Sequence, residues 1–450
     1  MKRITPRTLK GFRDFLPPAM IAREQLLGTA RRVYQSFGFV PIDTPALEYV
    51  EILAGKGSAE TDHQMYRFVD SGGREVGLRF DLTVPLARYV AEHVDRLGVP
   101  FKRYHMGQVW RGENPQRGRY REFMQCDFDT IGTRSPSADI ETITVVHELM
   151  LALGLSEFTI SVNHRGLLNG LLEQFGLAEH SVAALRAIDR LSKIGPEKVL
   201  AELTSVSSIA ATAAESFLET LTTAGPVDEV CQAIESRLAG NPTALEAAAT
   251  LRDIMTGAQA SGVAGDRLQI DLSIARGLDY YTGTVLETTL NPLPGIGSVC
   301  SGGRYDNLAE VYSKRELPGI GASLGLDRLL AALEELKLIE PAATMAPVFI
   351  PFFEADHRDD YLALGYQLRQ AGLGVEVYPE SKKLGQQLKY AGEKGCRFAV
   401  ICGGREFESG TCQLKDLIER TSVELEIGQG VEPLVAAIKA VLTGEPSPAG

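Results

Sequence analysis

Trp110-Arg-Gly-Glu-Asn-Pro-Gln-Arg-Gly-Arg-Tyr-Arg-Glu-Phe-Met-Gln-Cys-Asp-Phe-Asp129 is the stretch on which the architecture turns. Arg103 to Arg111 reads as a strand, Gly112 to Gly118 as a loop rich in Gly, Asn and Pro, and Arg119 to Ile131 as a second strand. Side chains alternate faces along a strand, so Arg121, Phe123, Gln125, Asp127 and Asp129 share one side, with Met124, Cys126 and Phe128 on the other. The second set predicts a packed face. The first is too polar for a core and too orderly for chance, and it reads as the floor of a binding site.

Charge around this hairpin is lopsided. Lys102, Arg103, Arg111, Arg117, Arg119 and Arg121 face only Glu113 between them, in a chain whose net charge is −12. The overall balance argues against indiscriminate nucleic-acid binding, while the local excess points to an anionic ligand. No Gly-x-x-x-x-Gly-Lys-Ser/Thr loop is present, and no Gly-x-Gly-x-x-Gly follows a parallel strand. Phosphate charge would therefore be met by side chains, and arginine suits that task because its planar fork stays charged. Arg111, Arg119, Arg276 and Arg328 stand at strand ends or just before helices in apolar stretches. One such arginine is more often a salt-bridge partner than a ligand-binder; four together shift the balance.

The opposite charge is placed as suggestively. Asp81 and Thr83 lie in Leu78-Arg-Phe-Asp-Leu-Thr83, Gln125 and Asp129 share a strand face, and Tyr280 and Tyr281 follow Arg276-Gly-Leu-Asp279. An amino-acid ammonium group would be held by Asp81, Thr83, Gln125 and Asp129 together. The competing reading for each carboxylate is a helix cap or a surface ion pair. Composition and spacing thus carry the reading to an anion-plus-ammonium site, with the reaction undecided.

At 450 residues the chain is too long for one core, so several domains are expected. Ile21 to Phe37 has helical periodicity, and Gly38 ends it before a proline-marked extended segment. From about Gly166 to Gly265 the sequence turns to Ala, Leu and Glu, as a helical module inserted between strand-like stretches. Beyond Pro341, strands at Val348, Val375 and Phe398 alternate with helices, which predicts a parallel sheet with crossovers, followed by a hairpin and the helix Val431 to Leu442. The expected division is a catalytic domain at 1–165 and 266–340, the insertion at 166–265, an α/β domain at 345–443 and a flexible tail at 444–450. Six dispersed cysteines and seven dispersed histidines offer neither a disulfide framework nor metal-ligand spacing, so no protein-held metal is expected. No apolar run is long enough for a bilayer and no signal core opens the chain, so no membrane partner and a cytoplasmic location are expected.

Beyond these readings, Trp110 to Asp129 resembles motif 2 of the class II histidyl-tRNA synthetases, a class IIa family. Gly319 to Arg328 resembles motif 3, and Ile21 to Glu48 the dimer-forming motif 1. Arg276-Gly-Leu-Asp-Tyr-Tyr281 and Ser301-Gly-Gly-Arg-Tyr-Asp306 are similar to the histidine-specific peptides, and Lys10 to Pro17 agrees. The resemblance implies an α+β catalytic domain, an antiparallel sheet flanked by helices, with a helical insertion and a C-terminal α/β anticodon-binding-like domain. It implies a homodimer that activates L-histidine with ATP and Mg2+ and transfers it to the 3′ end of tRNA(His). By the same resemblance Arg111 would bind the α-phosphate, Glu113 and Phe123 the adenine, and Arg119 and Arg328 the outer phosphates. Asp81, Thr83, Gln125 and Asp129 would hold the histidine backbone, Tyr280, Tyr281 and Tyr305 would complete its pocket, and Arg276 would be the cationic catalyst. The sequence departs mildly from the family: Asp81 where many members have Glu, Trp110 where Phe is usual, and Gly283 where Arg or Lys is frequent.

Two other functions compete. A histidine-sensing regulatory paralogue, a subunit of ATP phosphoribosyltransferase, would typically lack Arg276 and the C-terminal domain. A non-catalytic tRNA-binding or stress-sensing module would have little reason to keep the ATP arginines. Lys382, Lys383, Lys389, Lys394 and Arg397 are candidates to meet RNA phosphates, a solvated face being the plain alternative.

Overall fold

Leu26, Leu27, Ala30 and Tyr34 recur at helical spacing, and all four are buried along helix α1 (Pro17–Ser36). Gly38, at φ 81°, ends the helix in a conformation costly for other residues. This computed structural model describes residues 3–55, 63–207, 210–223, 225–275, 280–339 and 344–443. The chain forms two compact units, Met1–Asp14 with Gln25–Leu338, and Phe15–Glu24 with Ile339–Gly450.

In the first unit, β1 (Val40–Pro41) leads to a small sheet of β2 (Leu47–Tyr49), β3 (Arg67–Val69) and β4 (Glu75–Leu78), ordered β2-β4-β3, with α2 (Val50–Ala54) between β2 and β3. Helix α3 (Thr83–Leu97) precedes the long pair β5 (Phe101–Trp110) and β6 (Glu122–Ile131), then α4 (Pro136–Ala152) and β7 (Phe158–His164). The chain is then helical through α5 (Arg165–Gln174), α6 (Ser181–Ile188), α7 (Leu191–Ile194), α8 (Pro196–Ser207), α9 (Ala211–Leu221), α10 (Val227–Arg237) and α11 (Pro242–Ala260). It closes with β8 (Leu268–Ile270), β9 (Thr284–Leu290), β10 (Cys300–Tyr305), β11 (Gly319–Gly325) and α12 (Leu326–Glu335).

Eight strands make one sheet in the order β1-β5-β6-β11-β10-β9-β7-β8. From β5 to β7 every neighbour is antiparallel, as expected, while β1–β5 and β7–β8 at the two ends are parallel. The sheet is therefore mixed at its margins, where two- and three-residue strands are added. Phe128 packs against Tyr34 and Phe39, and the Tyr34 hydroxyl donates to the Cys126 carbonyl, so the apolar side of β6 lies under α1.

Strand β6 starts at Glu122 and not at Arg119. Arg119 instead exchanges both backbone hydrogen bonds with Gln116 across a tight turn in which Gly118 has φ 67°. The loop makes its own small hairpin, and the chain there cannot also continue the strand.

The second unit has β12 (Val348–Ile350), α13 (Arg358–Gln370), β13 (Val375–Val377), α14 (Leu384–Lys394), β14 (Phe398–Ile401), α15 (Gly404–Ser409), β15 (Thr411–Asp416), β16 (Ser422–Glu426) and α16 (Glu432–Thr443). Its sheet runs β13-β12-β14-β15-β16, with the first three strands parallel and the last two added as a hairpin. Val348, Ile350, Phe398 and Val400 bury one face against Tyr361, Leu364, Leu368, Leu434 and Ile438.

Candidate active site

The polar face of β6 opens on a cavity of about 1300 Å³, a volume that includes its mouth. Phe123, Gln125, Asp127 and Asp129 line it from β6, together with Asp81, Thr83, Arg111, Glu113, Arg119, Tyr280, Tyr281, Tyr305 and Arg328. Every candidate site residue within the described segments therefore reaches one cavity. Arg276, with Gly277, Leu278 and Asp279, lies outside the described residues.

The cationic end is built by stacking. The Arg111 guanidinium sits 4.4 Å from the Phe80 ring centre and 5.1 Å from that of Phe123, and its Nε donates to the Phe80 carbonyl at 3.1 Å. Held between two rings, its fork is aimed before any ligand arrives. Arg119 Nη1 is 3.7 Å from Glu113 Oε2, and Arg328 Nη1 donates to the Ser298 carbonyl. Gly118 lets the hairpin approach α12 closely, since a Cβ there would meet Arg328 Cα at 3.3 Å.

The other basic residues near the hairpin have different tasks. Lys102 pairs with Glu141 at 2.7 Å, Arg117 with Glu335 at 2.9 Å, and Arg103 is buried against Asp129 at 2.6 Å. Arg121, expected on the floor by alternation, precedes β6 and donates to the Glu113 carbonyl at 3.0 Å. The local excess of charge is thus mostly internal pairing, and two of its six members, Arg111 and Arg119, line the cavity.

The acidic end differs from residue to residue. Asp81 Oδ1 accepts from the Thr83 and Val84 amides at 3.1 and 2.9 Å, so this carboxylate does cap α3, and among the described residues Oδ2 has no partner. Asp129 is bracketed: the Tyr305 hydroxyl donates to Oδ1, and Arg103 holds Oδ2 at 2.6 Å. Gln125 Nε2 donates to Ser323 Oγ at 2.9 Å while its Oε1 is buried without a partner. Burial pushes the carboxyl groups of Asp81 and Asp129 above the usual range, against the pull of Arg111 on the first and of Arg103 on the second. Burial also raises the phenols of Tyr280, Tyr281 and Tyr305, which therefore serve as neutral donors.

Backbone closeness on β10 and β11 makes the floor. A Cβ on Gly321 would fall 2.2 Å from Asp129 Oδ1, and one on Gly302 would fall 2.1 Å from the Gly321 carbonyl. Arg304 turns to the other face and binds Asp139, with its Nη1 donating to the Thr133 carbonyl at 3.0 Å.

Sequence reasoning left three of these parts unassigned. Asp127 was on the right face by alternation but had no role. Arg103 pairs through the cross-strand register Arg103↔Asp129, which no local pattern reveals. Asp327 accepts from Arg13 at 2.7 Å and from the Met124 amide at 2.8 Å, joining the N-terminal segment, β6 and α12; its place beside Arg328 was the available signal.

In the second unit, Lys382, Lys389, Lys394 and Arg397 pair with Glu380, Glu393, Glu376 and Asp416, so four of the five candidate phosphate contacts already have acidic partners.

Comparison with known proteins matches residues 11–329 to the family model for histidyl-tRNA synthetase and residues 347–436 to that for an anticodon-binding domain. The histidine–tRNA ligase of Rhodopirellula baltica is 58% identical over 438 residues, covering 97% of this chain and 99% of that one. The histidine–tRNA ligase of Wolinella succinogenes is 46% identical, covering 92% and 94%. The crystal structure of histidyl-tRNA synthetase from Nostoc sp. PCC 7120 superposes with a TM-score of 0.88 at 35% identity, covering 98% of this chain and 100% of that one. With a clustered set of arginines, a separate acidic cradle and these likenesses across nearly its whole length, the chain belongs to the histidyl-tRNA synthetase family.

Proposed function

We propose that this chain is a histidine–tRNA ligase whose cavity joins histidine to ATP, forming histidyl-adenylate and diphosphate, and then passes the histidyl group to the 3′ end of tRNA(His). The observation that carries the reading is the meeting of Arg111, Arg119 and Arg328 with Asp81, Gln125 and Asp129 around one cavity.

The chemistry follows from that arrangement. The histidine carboxylate attacks the α-phosphorus in line, so two anions must approach each other and the crowded transition state gains charge. Arg111 holds the α-phosphate, Arg119 and Arg328 the outer phosphates, Phe123 stacks on the adenine and Glu113 accepts from its amino group. Fixed guanidinium groups stabilise that charge without reorganising, and no protein nucleophile is required. Asp81, Thr83, Gln125 and Asp129 hold the substrate backbone and ammonium, and Tyr281 and Tyr305 face the imidazole, with Tyr280 completing the pocket. By the family resemblance Arg276, which lies outside the described residues, would be a further cation at the carboxylate and α-phosphate. Mg2+ would be bound with ATP, and Arg119 and Arg328 would share with it the charge of the outer phosphates. In the second step the tRNA ribose hydroxyl attacks the adenylate carbonyl, and the departing phosphate takes the proton.

Assembly as a class II homodimer is supported by the exposed apolar row of Tyr49 and Phe68 on the small sheet, with Leu47, Val69 and Val40 also exposed. The anticodon-binding-like unit supplies tRNA recognition. Among the described residues no helix is long and apolar enough to cross a membrane; the cytoplasm is the proposed place of action. The regulatory-paralogue reading is set aside because the ligases named above align along nearly their whole length.

Histidine-dependent ATP–pyrophosphate exchange tests the proposal, with Arg276→Ala as the control. Exchange that proceeds without histidine, or none from folded protein, would remove it.

A further inference from the structure

Lys2, Arg3, Arg7, Lys10 and Arg13 open the chain with no acidic residue among them, although its net charge is −12. Arg13 is spent on Asp327 and Tyr120. Arg3, Arg7 and Lys10 are exposed in a stretch without regular secondary structure, and among the described residues none of the three has an acidic partner. The cations of the β5–β6 hairpin differ from them, since Lys102, Arg103 and Arg117 each hold a carboxylate. Ile4 and Leu9 are 91% and 73% exposed, so packing against the body does not account for the segment either.

Charge alone would make this a solvated run, and its anchorage makes the difference. The Arg121 amide donates to the Gly11 carbonyl at 2.8 Å, and Arg121 Nη1 reaches the Lys10 carbonyl at 3.4 Å. Gly11 has φ 86°, and a Cβ there would fall 2.9 Å from Pro115 Cγ. Residues 10 and 11 therefore lie against the loop that carries Glu113, Gly118 and Arg119 into the cavity wall. Arg7 and Arg3 precede Lys10 by at most roughly 10 and 25 Å of chain. All three cations are tethered beside the cavity's hairpin.

The second step of the proposed reaction brings the 3′ end of an RNA into this cavity, and each nucleotide behind that end carries a phosphate past the mouth. The phosphates of ATP, by contrast, have Arg111, Arg119 and Arg328 inside the cavity. Exposed guanidinium and ammonium groups without internal partners suit a ribose-phosphate chain, because they meet its charge and read no base. We infer that Arg3, Arg7 and Lys10 form an arm that contacts phosphates of the acceptor strand of bound tRNA, adding affinity without sequence selection. This rests on the tRNA-charging reading of the chain.

The test compares full-length wild type with the triple variant Arg3→Ser, Arg7→Ser, Lys10→Ser in two assays: histidine-dependent pyrophosphate exchange without RNA, and charging of tRNA(His) across a salt series. Exchange should stay within about twofold, with the KM for ATP unaltered. Each phosphate contact adds about 0.7–0.9 to the slope of log affinity on log salt, so losing all three should flatten the slope for the tRNA KM by about two. At about 50 mM salt the tRNA KM should rise roughly tenfold or more, and the gap should close toward about 200 mM. The variant Arg3→Lys, Arg7→Lys, Lys10→Arg keeps the charge and should behave as wild type. A tRNA KM and salt slope unchanged by the serine substitutions would overturn the assignment. So would equal losses in exchange and charging, a raised KM for ATP, or a charge-keeping variant as weak as the serine one. Wild type that performs histidine-dependent exchange but charges no tRNA would instead strike the reading beneath it.

Discussion

Arg13 Nη2 stands 2.7 Å from Asp327 Oδ1, and the same guanidinium lies over the Tyr120 ring at 4.0 Å from its centre. One residue of the N-terminal segment thereby holds both the hairpin tip and the first turn of α12. Asp327 precedes Arg328 and is 2% exposed, so its charge depends on these partners. The clamp fixes where Arg119 and Arg328 can be, although neither takes part in it.

Arg13→Ala leaves a buried carboxylate with a lost ion pair. Breaking such a pair costs about 3–5 kcal/mol when both partners are buried, and Arg13 is about a quarter exposed, so about 2 kcal/mol is expected. Urea unfolding reads the loss, and the KM for ATP should rise more than that for histidine. Unchanged stability would show that the clamp is not needed.

Arg111→Lys keeps the charge and loses the stack on Phe80 and Phe123. Removing one fixed donor to a charged transition state typically costs about a hundred- to a thousandfold, and lysine should recover only a minor part of it. Pyrophosphate exchange at saturating substrates measures kcat. Near-normal kcat for the lysine variant would mean that charge alone suffices.

Gly321→Ala would set a Cβ 2.2 Å from Asp129 Oδ1 and 2.3 Å from the Phe128 carbonyl. The carboxylate must move, breaking its contacts with Tyr305 or Arg103. Overpacking of this kind costs about 1–3 kcal/mol, and the histidine KM should rise while that for ATP holds. Wild-type values for both would place the true carboxylate position elsewhere.

Asp127 titrates at about 7 in the fold, raised chiefly by burial and opposed by Arg103; in an unfolded chain an aspartate titrates near 3.9. Between these values the native state keeps a proton that the unfolded state has lost. Stability therefore falls as pH rises from about 4 to about 7 and levels off above that. Asp127→Asn removes the effect, so without histidine it should gain on wild type as pH rises, by about 4 kcal/mol at most at pH 8. Urea titrations at pH 5 and pH 8 make the comparison. A constant difference between the two proteins would contradict it.

Much of this was legible in residue order. The alternation from Phe123 to Asp129 placed a polar floor over an apolar underside, and both faces are where period two puts them. Helix α1 and the alternating strands and helices beyond Val348 were equally visible, because their cores are local stripes. Arg121 was misplaced because the loop folds into its own hairpin, a choice made by Gly118 and the Gln116–Arg119 pairing. The surplus of arginines looked like a single anion-binding surface because charge counts cannot show which arginines are already paired.

The sequence by itself determined which residue types face the cavity, since strand periodicity and the motif peptides are properties of neighbours in the chain. Only the tertiary structure decided which carboxylates are spent and which are open. Asp129 meets Arg103 through cross-strand register and Tyr305 from β10, while Asp81 spends one oxygen capping α3. The segment from Arg111 to Arg121 is too long for turn geometry to fix that register, and packing of the whole sheet sets it.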